Sequence, residues 1–230
     1  MATLLLRLAA PLQSWGDDSK FDVRQTAHEP SKSGVVGLLA SALGRSREDS
    51  VDDLAALRFG VRTVREGRLL CDYHTVSRNP NPRPALNKSD YITRRYYLSD
   101  AVFVAGFQGD PDVLRTLEAA LCAPAHPLYL GRRSCPPVPP VCLGVVDSGL
   151  EEALLQAQCP ETLTPINTGK PLRLVLDAEP GTRGALLRDL PVTFSQRRRE
   201  HGFRPVVERF VPVPSGDHDA FGELEVDGCT

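Results

Sequence analysis

Long apolar runs are scarce in this chain of 230 residues. The longest one near its start, Leu4–Leu6, is interrupted by Arg7 and followed by Pro11 and Gln13. A run this short is neither a membrane-spanning helix nor the apolar core of a secretory signal. We therefore expect a cytoplasmic protein that has no membrane partner.

Motifs for metals, cofactors and catalysis are also missing. The six cysteines form no Cys-x-x-Cys pair, and no histidine stands at metal-ligand spacing from them. The chain contains no Gly-x-Ser-x-Gly, Walker A, His-Glu-x-x-His or dinucleotide-binding motif. We expect reduced thiols, no metal, no cofactor and no catalytic residue.

The net charge of -2 argues against a general polyanion binder, but the charge is unevenly distributed. Residues 211–230 carry five acids and no base, so the first 210 residues have a net charge of +3. Of the 27 bases, 23 are arginine, which suits bidentate phosphate contacts and stacking on bases. A GC-rich genome explains the same ratio of arginine to lysine equally well. The position of each arginine therefore has to show whether it belongs to a nucleic-acid site.

A content of 41% apolar and 24% charged residues fits one large soluble domain or two small ones. Apolar periods and turn signals predict the order strand, helix, hairpin of two strands, helix, strand, which is the ferredoxin-like βαββαβ arrangement of the α+β class. The predicted elements are a strand at Thr3–Leu8, a helix capped by Ser31 and ending at Gly44, a short helix from Ser50 with Asp53 as capping-box partner, hairpin strands at Phe59–Arg65 and Arg68–Tyr73, strands at Tyr91–Leu98 and Ala101–Phe107, a helix starting at Asp110-Pro111, and a strand at Val141–Val146.

Two segments depart from that arrangement. An insertion at about residues 75–97 contains the proline-broken stretch Ser77–Asp90, and loops of this length are usually functional or disordered. After a first domain at residues 1–148, we expect a smaller β-rich lobe at 149–230 that ends in the acidic tail. Its predicted elements are a helix at Leu150–Gln158 and strands at Leu172–Leu176, Val192–Ser195 and Val206–Val211.

The N-terminal strand-turn-helix unit is a candidate anion site. Gln13 and Trp15 lie in the turn after the first strand, and Lys32 and Ser33 follow the predicted N-cap at Ser31. Hydroxyls, backbone N–H groups and a lysine at a helix N-terminus favour a negative ligand.

Three basic clusters are further candidates, although a single charge run is more often a solvated face. Arg94 and Arg95 are interleaved with tyrosines, as in base-stacking surfaces. Arg132, Arg133 and Ser134 follow Gly131, whose turn lets a backbone approach a ligand closely. The third cluster is Arg197–Arg199.

His74 is the best single candidate for acid-base chemistry, because it stands at the foot of the insertion. The alternative, which we favour, is that His74 orients a neighbouring group or contacts a backbone.

Five segments within residues 4–136 together resemble the CasD family, the Cas-five-type subunits of the type I-E CRISPR surveillance complex Cascade. The last 90 residues resemble that family more loosely. The five segments are Leu6 to Gly16, Pro30 to Gly44, Asp72 to Val76, Tyr97 to Ala101 and Leu128 to Pro136.

The resemblance implies a fold of the RAMP superfamily, with a β-hairpin thumb at the insertion. It implies a non-catalytic, RNA-binding role in antiviral defence, in which the subunit holds the 5′ handle of the crRNA. The implied neighbours are the backbone subunit CasC and the large subunit CasA, with target DNA nearby through the complex. The implied thumb reaches toward the first backbone subunit and displaces a base where handle and guide meet.

Carried over by position, Arg95 matches an RNA-contacting arginine at the base of the thumb. The Arg197–Arg199 run has no clear counterpart. The predicted RNA-binding set is Gln13, Trp15, Lys32, Ser33, His74, Arg94, Arg95, Arg132, Arg133 and Ser134.

Two alternatives stay open at this point. One is a metal-independent endoribonuclease that cuts CRISPR repeat RNA, as in the type I-C branch of the same family. That branch relies on a Tyr, a Lys and an adjacent His, and this sequence has no Lys-His dipeptide. The other is a metabolic enzyme of ferredoxin-like fold, such as an acylphosphatase, which would turn over a small molecule.

Overall fold

The structure is a computed structural model that describes residues 1–16, 22–76, 91–163 and 171–212. Its main feature is a seven-stranded sheet in the order β10-β11-β9-β4-β7-β1-β8, in which every pairing is antiparallel. The α+β class predicted from the sequence is confirmed. The strands of this sheet are β1 (Ala2–Ala9), β4 (Arg58–Arg65), β7 (Val102–Gly109), β8 (Cys142–Val146), β9 (Leu172–Asp177), β10 (Ala185–Thr193) and β11 (Glu200–Val211).

A smaller sheet is built around a long antiparallel ladder. β5 (Arg68–Val76) pairs with β6 (Tyr91–Ser99) from Arg68↔Ser99 to Val76↔Tyr91. Two short strands, β2 (Leu12–Gln13) and β3 (Val23–Arg24), also pair with β6. The proline-broken part of the predicted insertion, residues 77–90, lies outside the described residues, as does the acidic tail after residue 212.

Helices cover both faces of the seven-stranded sheet. Leu4, Leu6 and Leu8 of β1 pack with the helices on one face, whereas Leu5 packs with α4 on the other. This alternation follows from the period of two in a strand. The helices are α1 (Lys32–Ala42), α2 (Asp52–Ala55), α3 (Pro111–Cys122), α4 (Leu150–Gln156) and α5 (Pro160–Leu163). No helix in these ranges is long and apolar enough to cross a bilayer.

Helix boundaries with strong local signals match the sequence. Ser31 caps α1 by accepting a hydrogen bond from the Gly34 N–H, and Gly44 follows the last turn with φ +75°. Asp110 caps α3, and Pro111 occupies its first turn. Each signal acts within a few residues of the helix that it bounds, which is why the sequence alone reveals it.

The predicted capping box of the second helix is wrong. α2 starts at Asp52, with Val51 at its N-cap and no side-chain cap. Ser50 Oγ accepts only from the Asp52 N–H, at 3.1 Å. The Asp53 carboxylate is bound to Arg45, with Arg45 Nη1 donating to Asp53 Oδ1 at 2.6 Å. A charge-assisted pair with Arg45, which precedes the helix, thus occupies the Asp53 carboxylate that was expected to take part in the capping box.

The predicted hairpin between residues 59–65 and 68–73 is also wrong. β4 pairs with β7 and β9, whereas β5 pairs with β6 in the smaller sheet. The burial of the two strands explains the separation. β4 has four consecutive buried residues, Phe59 to Arg62, which require a central position, while most of the described side chains of β5 are exposed.

The C-terminal strands continue the main sheet. β9 pairs with β4, and β11 pairs with β9 and β10. The boundary predicted after residue 148 therefore does not divide two sheets. β10 and β11 are also longer than predicted, starting at Ala185 and Glu200 rather than at Val192 and Val206. Their polar residues broke the apolar pattern on which the shorter predictions rested.

One buried ion pair joins β1 to α5. Arg7 donates from Nε to Glu161 Oε2 at 2.8 Å, and its Nη2 donates to the other carboxylate oxygen. Arg7 Nη1 also donates to the Val138 carbonyl at 2.9 Å. The hydrogen bonds from Arg7 lower the pKa of Glu161 from 4.5 to about 2.

We predict that Glu161→Gln lowers the free energy of unfolding at neutral pH. The difference from the wild type should shrink as the solution becomes acid. A carboxylate whose folded pKa lies below its unfolded value stabilises the fold above the unfolded pKa, and this contribution disappears as the pH falls through the folded pKa. The window therefore runs from about pH 4.5 down to about pH 2. The contribution is on the order of 3 kcal/mol for a shift of this size.

Urea denaturation at a series of pH values measures this effect. The difference in free energy of unfolding between wild type and Glu161→Gln should be largest at neutral pH and shrink across the window. A difference that stays constant from pH 6 to pH 2 would contradict the ion pair.

Candidate nucleic-acid interface

A cleft of about 1190 Å³ runs along α1. One wall comes from residues 126–133, and the other comes from the connection between β10 and β11. None of the described residues that line the cleft is Asp or Glu. Seven of them are arginines: Arg24, Arg45, Arg47, Arg132, Arg133, Arg188 and Arg199.

The first wall rests on a turn that only glycine can form. Gly131 has φ +86°, and a Cβ at this position would lie 1.7 Å from the Ser14 carbonyl oxygen. The Ser14 N–H also donates to the Leu130 carbonyl at 3.1 Å. The glycine turn predicted from the sequence is therefore seated directly on the backbone that follows β2.

Arg132 acts mainly as a clamp for this wall. Its guanidinium donates to the carbonyls of Tyr96 at 3.1 Å, Arg24 at 3.0 Å and Gln25 at 3.3 Å. It also lies over the Tyr97 ring, 4.6 Å from the centroid. Three carbonyls and one ring thus occupy most of the hydrogen-bond donors and the face of the Arg132 guanidinium. Its neighbour Arg133 is exposed and also lines the cleft, so it is the better candidate for contacting a ligand.

Gln13 and Trp15 support the cleft from beneath. Gln13 Nε2 donates to the carbonyls of Leu8 at 3.0 Å and Ala101 at 2.7 Å, and its Oε1 accepts from Trp15 Nε1 at 3.1 Å. Both side chains are 0% exposed. Because neither side chain is exposed, neither can make in this structure the direct contact with RNA that the sequence predicted. Instead, both residues hold the turn at Ser14 in position.

The helix N-terminus attracts an anion as expected, but the anion belongs to the chain itself. Asp189 of β10 accepts from the Lys32 N–H at 2.7 Å. The Lys32 ammonium is 2.9 Å from Asp177 of β9. Burial lowers the pKa of Lys32, and the neighbouring Asp177 opposes that shift. Lys32 is therefore bound inside the fold instead of facing a ligand.

Ser31 and Ser33 bring polar groups to the cleft at this end of α1. Ser31 Oγ accepts from the Gly34 N–H at 3.2 Å and lies 3.5 Å from Ser33 Oγ. Both residues line the cleft although little of their surface is exposed. Of the four residues predicted in the N-terminal unit, Ser33 is the one that reaches the cleft.

The second wall was missed in the sequence. Arg188 of β10 and Phe194, Arg199 and His201 in or beside the β10–β11 connection line the cleft opposite residues 126–133. The Arg197–Arg199 run was a visible signal, but its members differ. Arg199 faces the cleft, whereas Arg198 Nε pairs with Glu200 Oε1 at 2.5 Å and is not among the lining residues.

Besides Gln13, Trp15 and Lys32, four further predicted residues lie on described parts of the chain but do not line the cleft. His74 and Arg94 are exposed on the β5–β6 ladder, where His74 stands opposite Thr93. Arg95 is half-buried opposite Asp72. Ser134 is exposed beside the first wall. Their predicted contacts with RNA stay predictions for a surface outside the cleft.

The fold is of the α+β class, and arginines from both walls meet over a groove with no carboxylate among its described lining residues, a surface whose charge suits a polyanion. A family model described as "CRISPR-associated protein (Cas_Cas5)" matches residues 3–207. The chain therefore belongs to the Cas5 family of CRISPR-associated proteins. The resemblance seen in the sequence is confirmed.

Known relatives agree with this assignment. The chain is 37% identical over 169 residues to CRISPR system Cascade subunit CasD of Escherichia coli (strain K12), which covers 66% of this chain and 75% of that protein. A solved structure described as "Crystal structure of Cas protein" is 43% identical, with a TM-score of 0.68 over 91% of this chain and 95% of that one. A chain of a "CRISPR RNA-guided surveillance complex" is 32% identical, with a TM-score of 0.74 over 92% of this chain and 91% of that one.

We predict that Gly131→Ala destabilises the protein and distorts the first wall. The left-handed backbone alone costs a non-glycine residue about 1–2 kcal/mol. The contact with the Ser14 carbonyl adds to this cost, because backbone atoms must move. Thermal unfolding measures the loss.

Gly181→Ala is the matched control. Gly181 has φ +83°, and nothing lies within 4 Å of a Cβ at that position, so this variant carries the backbone cost without the contact. Equal loss of stability in the two variants would contradict the seating of Gly131 on Ser14.

Proposed function

We propose that this chain is a subunit of a type I-E CRISPR RNA-guided surveillance complex and that its cleft holds the 5′ handle of the crRNA without cutting it. The observation that carries the proposal is the cleft with seven arginines and no Asp or Glu among its described lining residues. The similarity to Cascade subunit CasD and to a chain of a surveillance complex supports the same assignment.

The lining suits a single-stranded RNA. Its arginines supply donors for phosphate oxygens, which dominate the affinity of proteins for nucleic acids. Gly34, Gly37 and Ala40 form part of the α1 surface in the cleft, and at the two glycines the missing Cβ makes room for aromatic rings: a Cβ would lie 2.9 Å from the Trp15 ring at Gly34 and 3.8 Å from the Phe194 ring at Gly37. A bent, unpaired strand fits such a concave surface better than a stiff duplex does.

The proposed core is ferredoxin-like. β1, α1, β4, β7, α3 and β8 follow one another in the chain as βαββαβ once the smaller sheet (β2, β3, β5 and β6) and the short helix α2 are set aside. Their strands are ordered β4-β7-β1-β8 in the sheet, with antiparallel neighbours throughout. Both features support the arrangement, and the β5–β6 ladder supports a thumb that extends from it.

The ladder also supports the proposed protein partners. Leu69, Tyr73 and Ile92 are large apolar side chains on it that are exposed. Exposed apolar groups gathered on one element are typical of a docking surface. We assign this surface to the backbone subunit CasC, with CasA at the handle end and target DNA nearby through the complex. A cytoplasmic location stays a prediction.

The cleft favours binding without cleavage. His74, the best candidate for acid-base chemistry in the sequence, lies on the ladder and does not line the cleft. Two histidines, His126 and His201, do line it, but no lysine, aspartate or glutamate is among the described lining residues to act with either of them as an acid-base pair.

We predict that Arg133→Ala weakens the binding of crRNA to the assembled complex. The loss of one charge-assisted phosphate contact should cost about 1–2 kcal/mol, roughly 5- to 30-fold in affinity. It should also reduce the salt slope of binding by about 0.7. Arg132→Ala should have a wider effect, because its carbonyl contacts shape the wall.

Arg115→Ala on α3 is the control, since this exposed arginine pairs with Asp112 and does not line the cleft. Quantitative filter binding over a range of salt concentrations measures both quantities. If Arg133→Ala matches the control, RNA does not occupy the cleft.

We further predict that the purified protein leaves its cognate repeat RNA intact and that His74→Ala changes nothing in this assay. Gel analysis of end-labelled RNA checks this outcome. A specific cut that disappears in His74→Ala would support the endoribonuclease alternative instead.

A further inference from the structure

The C-terminal end of α1 is shaped to present basic residues to the cleft. The Gly44 N–H donates to the Ser41 carbonyl at 3.1 Å, and the Arg45 N–H donates to the Ala40 carbonyl at 2.9 Å. With Gly44 at φ +75°, these two bonds form a Schellman motif. The chain reverses here, so that Arg45 and Arg47 line the cleft just past the helix.

Capping also reduces the negative potential expected at this end of the helix. The carbonyl of Ala42 accepts from the Ala125 N–H at 2.9 Å, in addition to the two bonds of the motif. Carbonyls that already accept hydrogen bonds repel an anion less than unpaired ones do. A phosphate can therefore approach this end of α1, although a helix C-terminus normally disfavours it.

The facing wall holds Arg199 in place. Its guanidinium lies over the Phe194 ring, 5.7 Å from the centroid. Phe194 in turn packs against α1 at Gly37, where a Cβ would lie 3.8 Å from the ring. The Gln196 N–H donates to Glu48 Oε1 at 3.3 Å, which ties the β10–β11 connection to the loop that carries Arg47.

Some of the arginines near the C-terminal end of α1 pair with an acid. Arg45 pairs with Asp53, and Arg198 pairs with Glu200. By contrast, desolvation and then the like charge of Arg47 lower the pKa of Arg199. Arg47 and Arg199 come from separate loops, and both line a groove whose described lining contains no carboxylate. An anion between them would relieve the repulsion.

We propose that Arg47 and Arg199 form a second phosphate subsite for single-stranded RNA, at the opposite end of α1 from Ser14 and Arg133. This inference rests on the proposed function of the cleft. The 11 residues of α1 span roughly 16 Å at 1.5 Å per residue. A phosphate at this subsite is therefore a different one from the phosphate at Arg133, and the strand follows the length of the helix between them.

The test measures the binding of a fluorescent single-stranded RNA, with the sequence of the CRISPR repeat from the same genome, to the full chain across salt concentrations. Arg47→Ala and Arg199→Ala should each lower the affinity several-fold and reduce the salt slope by about 0.7. Because both residues hold one phosphate, the double variant should lose less affinity than the product of the two single losses. Arg199→Lys keeps the charge and should retain the salt slope.

Arg198→Ala is the matched control, because this neighbour pairs with Glu200 and does not line the cleft. If Arg199→Ala behaves like Arg198→Ala while Arg133→Ala weakens binding, the second subsite is refuted and the proposed function stands. If Arg133→Ala has no effect either, both fail together. Strictly multiplicative losses in the double variant would overturn a shared phosphate. Thermal unfolding of each variant verifies that the fold is retained.

Discussion

The fold of the cleft depends on one buried ion network that ties α1 to the C-terminal strands. Asp189 accepts from the Lys32 N–H and from two nitrogens of Arg204, while Asp177 accepts from the Lys32 ammonium and from Arg204 Nη1 at 2.6 Å. Asp177 also accepts from the Phe59 N–H at 2.8 Å. Two acids and two bases thus neutralise each other between α1 and strands β4, β9, β10 and β11.

The energetics of this network explain its geometry. Burial lowers the pKa of Arg204, but hydrogen bonds with Asp189 and Asp177 outweigh that effect and the pKa is raised. Removing one partner would leave an uncompensated buried charge, which typically costs about 3–5 kcal/mol. Because Asp177 and Asp189 accept hydrogen bonds from Lys32 and Arg204, both carboxylates are held inside the network and neither is among the described residues that line the cleft.

Local signals in the sequence predicted much of the fold. The apolar strand at residues 3–8, the Ser31 cap, the Gly44 terminus and the Asp110-Pro111 start act over a few residues and are present in the structure. Strand partners were harder to predict, because the short Glu66-Gly67 link suits a hairpin as well as a crossing between sheets. Only the burial of β4 on both faces decides between them, and burial depends on strands that follow much later.

The site was predicted less completely than the fold, for a related reason. Residue type indicates what a side chain can bind, but not which part of the folded chain it contacts. Trp15 is the single tryptophan and suits base stacking, yet it is buried in the core. Lys32 suits a phosphate, yet Asp177 stands 145 positions away in the sequence and pairs with it. Arg199 could be separated from Arg198 only once the facing wall was known.

The strands that complete the seven-stranded sheet are synthesised last, although α1 depends on them for its ionic partners. α1 leaves the ribosome long before β9, β10 and β11, so the first wall and the helix are made without their ionic partners. Until the last third of the chain emerges, the charge of Lys32 stays in water and the second wall does not exist. Contacts of this range make folding slow and favour completion at the end of translation. A nascent chain that lacks these strands therefore has only the first wall of the cleft and the helix beside it.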